Sequence, residues 1–274
     1  MTKRLDYRGT SFNVPSNRKL WQSLGEYDSL VQFQEVASLI LLESYDSTKE
    51  SFRDYLIRIS KSTGIHLNDI SLENYKQVQH QSYLIFPNAS FDDFLSDFID
   101  DIRLLIDDKF SINSDDGCKF DKIMESLKEH GIRPSIDKSK IKLYHYYRLL
   151  RNDVAHKLDR SFNAEYKNID LNKIHGFYPS QGMPQPKNVL SFDDYILCTA
   201  NVKNIADELT RSLLPHIDWE KMIVEKKEQI IPKYRKFIAE NRTKRLKGYI
   251  KNCIFNMYSV VLLDENVDRI MGML

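Results

Sequence analysis

Apolar residues recur along this chain at spacings of three and four, and no segment sustains the alternation of a strand. From Leu30 the run Leu30, Phe33, Ala37, Ile40 and Leu41 predicts a helix, whereas the twenty-odd residues at the start read as irregular. "STKE" at 47–50 has the spacing of a capping box, so a second helix is expected to carry Phe52, Tyr55, Leu56 and Ile59. A third is expected through "ENYKQVQHQSYLIF", stopped by Pro87. "SFDDFLSDFIDDIRLLI" predicts a fourth, opened by a Ser90–Asp93 capping box. Its stripe is Phe91, Phe94, Leu95, Phe98, Ile102 and Leu105, and its acidic opposite face reads as solvated. "CKFDKIMESLKEHGI" predicts a fifth that Gly131 ends.

The sixth helix is expected from about Ser139 to Leu158. At about 100° per residue, Leu143, Tyr147, Leu150, Val154 and Leu158 share a core face. Tyr144 and Arg151 fall at its margin, and His145, Arg148, Asn152 and His156 line the other side. A long polar connection follows over 159–190, with Pro179, Pro184 and Pro186; loops of that length are usually functional or mobile. Ser191 then starts a helix with Tyr195, Ile196, Thr199, Val202, Ile205, Leu209 and Leu213 inward. "SFDD" at 191–194 repeats residues 90–93, which reads as one helix-start chemistry used twice. Beyond Pro215 the pattern stays helical, interrupted at Pro232 and Gly248. The sum is an all-α helical bundle of about eight or nine helices.

Composition narrows the function classes. The 274 residues are 42% apolar and 29% charged, as in ordinary globular proteins. A net charge of +1 argues against a general polyanion-coating role. Cys118, Cys198 and Cys253 stand far apart, which suggests free thiols in a reducing cytoplasm and neither a disulfide framework nor a zinc site. No secretory leader is expected from "MTKRLDYRGTSFNV". The longest apolar stretch, "CIFNMYSVVLL", is too short to span a bilayer and is expected to pack inside, so no membrane partner is indicated. With nine glycines and no phosphate-cradling loop, nucleotide hydrolysis has no support, and no metal or other cofactor is expected.

The stretch "RNDVAH", 151–156, carries the chemistry. An Arg followed by a polar residue and then by His, near the end of a helix in an all-α protein, resembles the motif of the HEPN superfamily (higher eukaryotes and prokaryotes nucleotide-binding). "QSYLIFPNASFDDFLSDFIDDIRLL" looks like the helix pair before that motif, and "SFDDYILCTANVKNIADELTRSLL" like its closing helix. The resemblance covers roughly 70–214. It leaves 1–69 as an N-terminal helical extension and 215–274 as a basic C-terminal one, with the three expected to pack as one unit. A second Arg–His pair, Arg211 and His216, has the spacing, but "SLLP" fills its gap.

The resemblance implies a metal-independent endoribonuclease, a homodimer, and a toxin or anti-phage setting in which an antitoxin or regulatory protein is a further partner. RNA supplies its own nucleophile, the 2′-OH; an imidazole titrates near neutrality, and a guanidinium stays charged against the phosphate. On this reading His156 is the general acid or base, Arg151 stabilises the scissile phosphate and Asn152 orients the site. Asp153, Arg148 and His145 support them. In one HEPN toxin group a Tyr stands two positions after the His and is modified by a partner nucleotidyltransferase; Leu158 stands here, which argues against that partnership. The alternative is a non-enzymatic HEPN-like module that binds RNA, nucleotide or a partner protein.

Geometry adds a condition. Arg151 and His156 differ by about 140° around one rod. They converge on one phosphate only if the helix ends or bends near Asp153, or if a second copy supplies its own pair across a two-fold axis. Residues 220–251 hold eleven Lys or Arg against four Glu, so Lys244, Arg245 and Lys247 are candidate RNA-backbone contacts, with Tyr234, Phe237 and Tyr249 for stacking or, more simply, as core.

Overall fold

A computed structural model describes residues 7–8, 12–66, 71–113, 117–156, 160–239 and 243–274. The chain forms α1 (Pro15–Glu43), α2 (Phe52–Lys61), α3 (Leu72–Tyr83), α4 (Ile85–Leu105), α5 (Lys119–Glu129), α6 (Lys138–His156), α7 (Asn163–Lys167), α8 (Leu171–Phe177) and α9 (Phe192–Leu213). Then come α10 (Trp219–Glu225), α11 (Lys227–Ile230), α12 (Tyr234–Ala239), α13 (Thr243–Tyr258) and α14 (Asp264–Met273). Two short strands, β1 (Tyr7–Arg8) and β2 (Val261–Leu262), pair antiparallel with Tyr7 opposite Leu262 and are the only sheet among the described residues. The protein is all-α. None of the described helices is long and apolar enough to cross a membrane.

The helices are more numerous than the periodicity implies because the connections are themselves helical. α7 and α8 occupy part of 159–190, and α10 to α12 break the segment after Pro215 into short pieces. Pro232 separates α11 from α12, but Gly248 lies inside α13 and interrupts nothing. At the other end, α1 begins at Pro15, well before the apolar run that announces it. A proline suits the first turn of a helix, where its missing N–H is not needed. The Asn13 side chain accepts from Val14 N at 2.8 Å and from Asn17 Nδ2 at 2.9 Å, which fixes that start.

Two helix starts also shift. The cap of α2 is Ser51, which accepts from Asp54 N at 3.1 Å, so "SFRD" and not "STKE" is the capping sequence. Ser90 lies within α4 and meets Ser23 Oγ at 3.1 Å, while Pro87 sits in the first turn of α4 and does not stop the third helix beyond Leu84. Gly131 does end α5: its φ of +76° lies in the left-handed region, where glycine is favoured, and the following Ile132 N returns to Leu127 O at 2.8 Å.

The chain divides into two compact units, neither of them continuous in sequence. The first comprises 1–21, 91–136 and 205–274. Its core takes the whole aromatic stripe of α4, with Phe91, Phe94, Leu95, Phe98, Ile102 and Leu105 all buried. Phe94 stacks on Phe91 at 5.5 Å and on Phe98 at 5.2 Å. Trp219 and Tyr258 meet edge to face at 5.5 Å, and Ile254, Val260 and Leu262 are buried, so the C-terminal apolar stretch is core on one side, while Phe255 and Val261 are exposed.

The second unit comprises 22–90 and 137–204. Its larger core joins Leu143, Tyr146, Tyr147 and Leu150 of α6 to Leu84, Phe162, Ile174, Leu190, Leu197 and Cys198. A smaller cluster holds Val31, Tyr83 and Tyr195. None of the three cysteines forms a disulfide; burial pushes the Cys198 thiol well above its usual range.

In the first unit a buried carboxylate lies under the start of α1. Asp101 accepts from Ser16 N at 3.0 Å. Burial lifts its carboxyl to about 6 from an ordinary 3.8, against the lowering effect of the Ser16 hydrogen bonds. The folded chain therefore binds this proton more tightly than the unfolded chain. The stability from this group is complete below about pH 4 and is lost as pH rises through about 6. Asp101→Asn is expected to gain on the wild type between pH 4 and pH 7 by on the order of 3 kcal/mol in urea denaturation. A difference between the two proteins that stays flat over that window refutes the assignment.

Candidate functional site

Helix α6 runs without interruption from Lys138 to His156. The bend or early end that would let one chain gather Arg151 and His156 by itself is thus not found within the motif. Lys157, Leu158 and Asp159, where the sequence places the end of this helix, lie outside the described residues.

The core face is as the 3.6-residue period requires. Leu143, Tyr147 and Leu150 are buried and Val154 is half-buried. Tyr144 and Tyr146 are buried too, which widens the apolar side. Their hydroxyls explain why tyrosines are used. Tyr147 Oη donates to Asp194 Oδ1 at 2.9 Å, and Tyr146 Oη donates to Gln185 O at 2.8 Å. These bonds tie α6 to the connection and to α9, and within the connection Tyr166 Oη donates to Pro184 O at 3.2 Å.

Arg151 and Asn152 are half-buried, and His156, the last residue of α6, is exposed. Arg148 is half-buried, with its Nε sealed from water and lacking an acceptor among the described residues. His145 is half-buried with its ring 5.2 Å from that of Tyr144.

Asp153 is buried, and Lys187 Nζ lies 2.6 Å from its Oδ2. Asp153 Oδ1 also accepts from Arg160 N at 3.2 Å, and Lys187 Nζ donates to Arg160 O at 2.9 Å. The carboxylate therefore ties both flanks of the connection to α6, only three residues, or a rise of about 4.5 Å, before His156.

Those ties shape a polar cleft of about 230 Å³, lined by Arg160, Ser161, Asn163, Pro186, Lys187 and Asn188. The Arg160 side chain is exposed, and its guanidinium has no acidic partner among the described residues. Phe162, between the cleft residues, holds a left-handed φ of +42° with its side chain in the core, a conformation that costs a non-glycine residue energy and needs support from its surroundings. An exposed guanidinium beside a hydrogen-bonded ammonium, with two amides and a hydroxyl, suits a phosphate or similar oxyanion. No periodicity or motif points to Lys187, which lies 34 positions beyond Asp153 in a proline-rich stretch. Arg160 was the more legible, four positions after His156.

The C-terminal candidates belong to the first unit. Lys247 is paired with Asp268 of α14, and Lys251, its neighbour one turn on, lies 2.6 Å from Asp264. Lys244 and Arg245 are exposed. Tyr234 is buried, and Phe237 packs on Tyr249 at 5.1 Å with both rings half-buried.

Comparison with family models, with curated proteins and with solved structures found no match for this chain. The residues themselves therefore carry the functional reading.

Both partners of the Asp153–Lys187 pair are nearly withdrawn from water, with 8% and 13% of the side chains exposed. Lys187→Ala leaves the carboxylate buried and uncompensated, so a loss of about 3–5 kcal/mol is expected in urea denaturation. The double change Asp153→Leu with Lys187→Met is expected to recover most of it. Equal instability of the single and double variants would show that the pair is not what holds the connection.

Proposed function

We propose that this protein is a metal-independent endoribonuclease of HEPN type, acting as a homodimer in a toxin or anti-phage defence setting. One observation supports the reading most: "RNDVAH" occupies the last turns of α6, with Arg151 at the edge of the core, His156 exposed at the end, and the Arg160–Lys187 cleft adjoining them.

In the proposed reaction the 2′-OH of the RNA attacks the adjacent phosphorus. The 2′-oxygen–phosphorus bond forms and the bond to the 5′-oxygen breaks. His156 removes the 2′-OH proton or supplies one to the departing 5′-oxygen. The products are a 2′,3′-cyclic phosphate and a 5′-hydroxyl, and DNA, without a 2′-OH, is not cut. Arg151 balances charge on the equatorial oxygens, with Asn152 beside it to orient them. The Arg160 guanidinium holds a neighbouring phosphate of the strand. Because Arg151 and His156 point about 140° apart on an unbroken helix, the residue complementing each comes from a second copy. An antitoxin or other regulatory protein that restrains such an activity belongs to the same proposal.

Purified protein incubated with RNA in EDTA is expected to yield cyclic-phosphate ends. Arg151→Ala and His156→Ala are each expected to slow cleavage by at least about a hundred-fold. Mixing the two inactive variants is expected to restore part of the activity, through mixed dimers that hold one intact composite site. Cleavage that persists in both variants, or that requires a divalent metal, overturns the mechanism. RNA binding without cleavage by the wild type turns the reading into that of a binding module.

A further inference from the structure

Helix α13 departs twice from what a helix by itself favours. Its first turn carries Lys244 and Arg245 and no acidic residue, although the N-terminal end of the helix dipole favours negative charge. Gly248 then stands in the interior of the helix, where alanine is more stable, and a Cβ at that position would meet nothing within 4 Å. Packing does not require the glycine, and the helix does not require the cations.

Both features lie on the outer face. Leu246, Ile250, Ile254 and Tyr258 are buried and define the inner side. At 100° per residue the opposite side gathers Lys244, Arg245, Gly248, Asn252 and Phe255 into an arc of about 100°. All five are exposed, and Phe255, at 52%, is the one large apolar side chain left open on this helix among the described residues. The strip rises about 16 Å from Lys244 to Phe255. Charge is concentrated at its first end. Residues 233–251 hold eight Lys or Arg against a single Glu, in a chain whose net charge is +1. The acids of α14 are spent on other lysines, Asp268 on Lys247 and Asp264 on Lys251. Lys244 and Arg245 have no acidic partner among the described residues. A third cation joins them: Lys233 Nζ stands 6.0 Å from the centre of the Tyr249 ring, one turn beyond Arg245.

We infer that the outer face of α13 is a binding track for a single-stranded nucleic acid. The cations at one end take backbone phosphates. The Phe255 ring at the other end stacks an unpaired base, with the Asn252 amide one turn before it to hydrogen-bond a base edge or a phosphate. Gly248, between them, lets the strand lie close against the helix backbone. The make-up of the strip selects this ligand. An anionic lipid surface calls for a continuous apolar face beside the cations, and α13 offers one ring. A duplex keeps its base faces stacked on one another, which leaves that ring idle. An acidic protein segment would use the cations but neither the gap nor the ring. The track belongs to the first unit and contains no residue of α6, so binding here does not rest on RNA cleavage.

Fluorescence anisotropy of the full chain in low salt, with a labelled single strand of about 12 nucleotides, is expected to show micromolar binding. The strand is offered as DNA and as 2′-O-methyl RNA, and both are expected to bind, because the strip meets phosphates and base faces and not the 2′-OH. The proposed cleavage consumes neither probe, so a failure to cut and a failure to bind are read separately. Phe255→Ala is expected to weaken binding about ten-fold. Lys244→Gln with Arg245→Gln is expected to lower the slope of log affinity against log salt by about 1.4. Gly248→Leu separates binding from folding: leucine suits a helix interior, so the thermal midpoint is expected to rise while the filled gap weakens binding about ten-fold. A wild type that binds neither strand at tens of micromolar overturns the inference, as does a Gly248→Leu or Phe255→Ala chain that binds like the wild type. Binding of one sugar alone overturns it too. Loss of binding in Arg160→Gln, with the α13 variants unaffected, places the strand in the cleft beside α6 and overturns the track. Phosphatidylserine vesicles bound in preference to the strand, or a duplex bound as tightly, overturn the choice of ligand.

Discussion

The Asp194 carboxylate, buried at the start of α9, is the constraint on which the site depends. It accepts from Ser191 N at 2.9 Å, from Gln185 N at 2.9 Å and from Tyr147 Oη at 2.9 Å. One group thereby caps a helix, ends a connection and locks the rotation of α6 about its own axis. Burial raises its pKa, and the hydrogen bonds from Ser191, Gln185 and Tyr147 hold it down in part. An acceptor so enclosed is costly to leave unsatisfied, so the three donors and the carboxylate hold one another in place. Gly182 shows how closely the connection passes over α9: a Cβ there would stand 2.6 Å from Cβ of Asp193, well inside contact distance.

Fixing the rotation of α6 decides what its motif can offer. With Leu143, Tyr147 and Leu150 committed to the core, Arg151 must emerge at the margin and His156 must leave on the far side. The helix cannot twist to bring them together, because Asp153, on the turn between them, is held by Lys187 and the Arg160 backbone. Rigidity of this kind costs the site some freedom and gives it position: the side chains that stay exposed do so at set angles, beside a cationic cleft formed by the same hydrogen bonds.

Much of this was legible in the sequence wherever one helix face decides its own burial. The stripe of α4, the inward set of α9 and the left-handed glycine after α5 follow from local chemistry. The repeated "SFDD" marks the limit. At 191–194 it starts α9, because Asp194 finds donors in Ser191 and in the distant Gln185 and Tyr147. At 90–93 it lies within α4, which has already begun at Ile85, with Asn88 Nδ2 donating to Leu84 O at 2.7 Å. Identical tetrapeptides end in different places because the deciding partners lie elsewhere in the chain. The same reason hides Lys187: a salt bridge between residues 34 positions apart leaves no periodic trace. "RNDVAH" was visible as a pattern, but the separate fates of its members, with Arg151 at a margin, Asp153 sealed and His156 in water, depend on that unseen lysine.

Helix α1 shows a different limit. Periodicity reports that a helix has an apolar side; it does not report what covers that side. Most helices have one such side, and the pattern and the core then coincide. Here Leu24 and Val31 are turned inward while Phe33 and Ile40 are turned out, so the helix carries two apolar sides, one more than its own unit uses. The surplus is the stronger stripe of the two, and it begins at the residue where the sequence first looks helical. An apolar side left open is written in the same code as one that serves a core, and only the structure, by showing which side is already occupied, separates them.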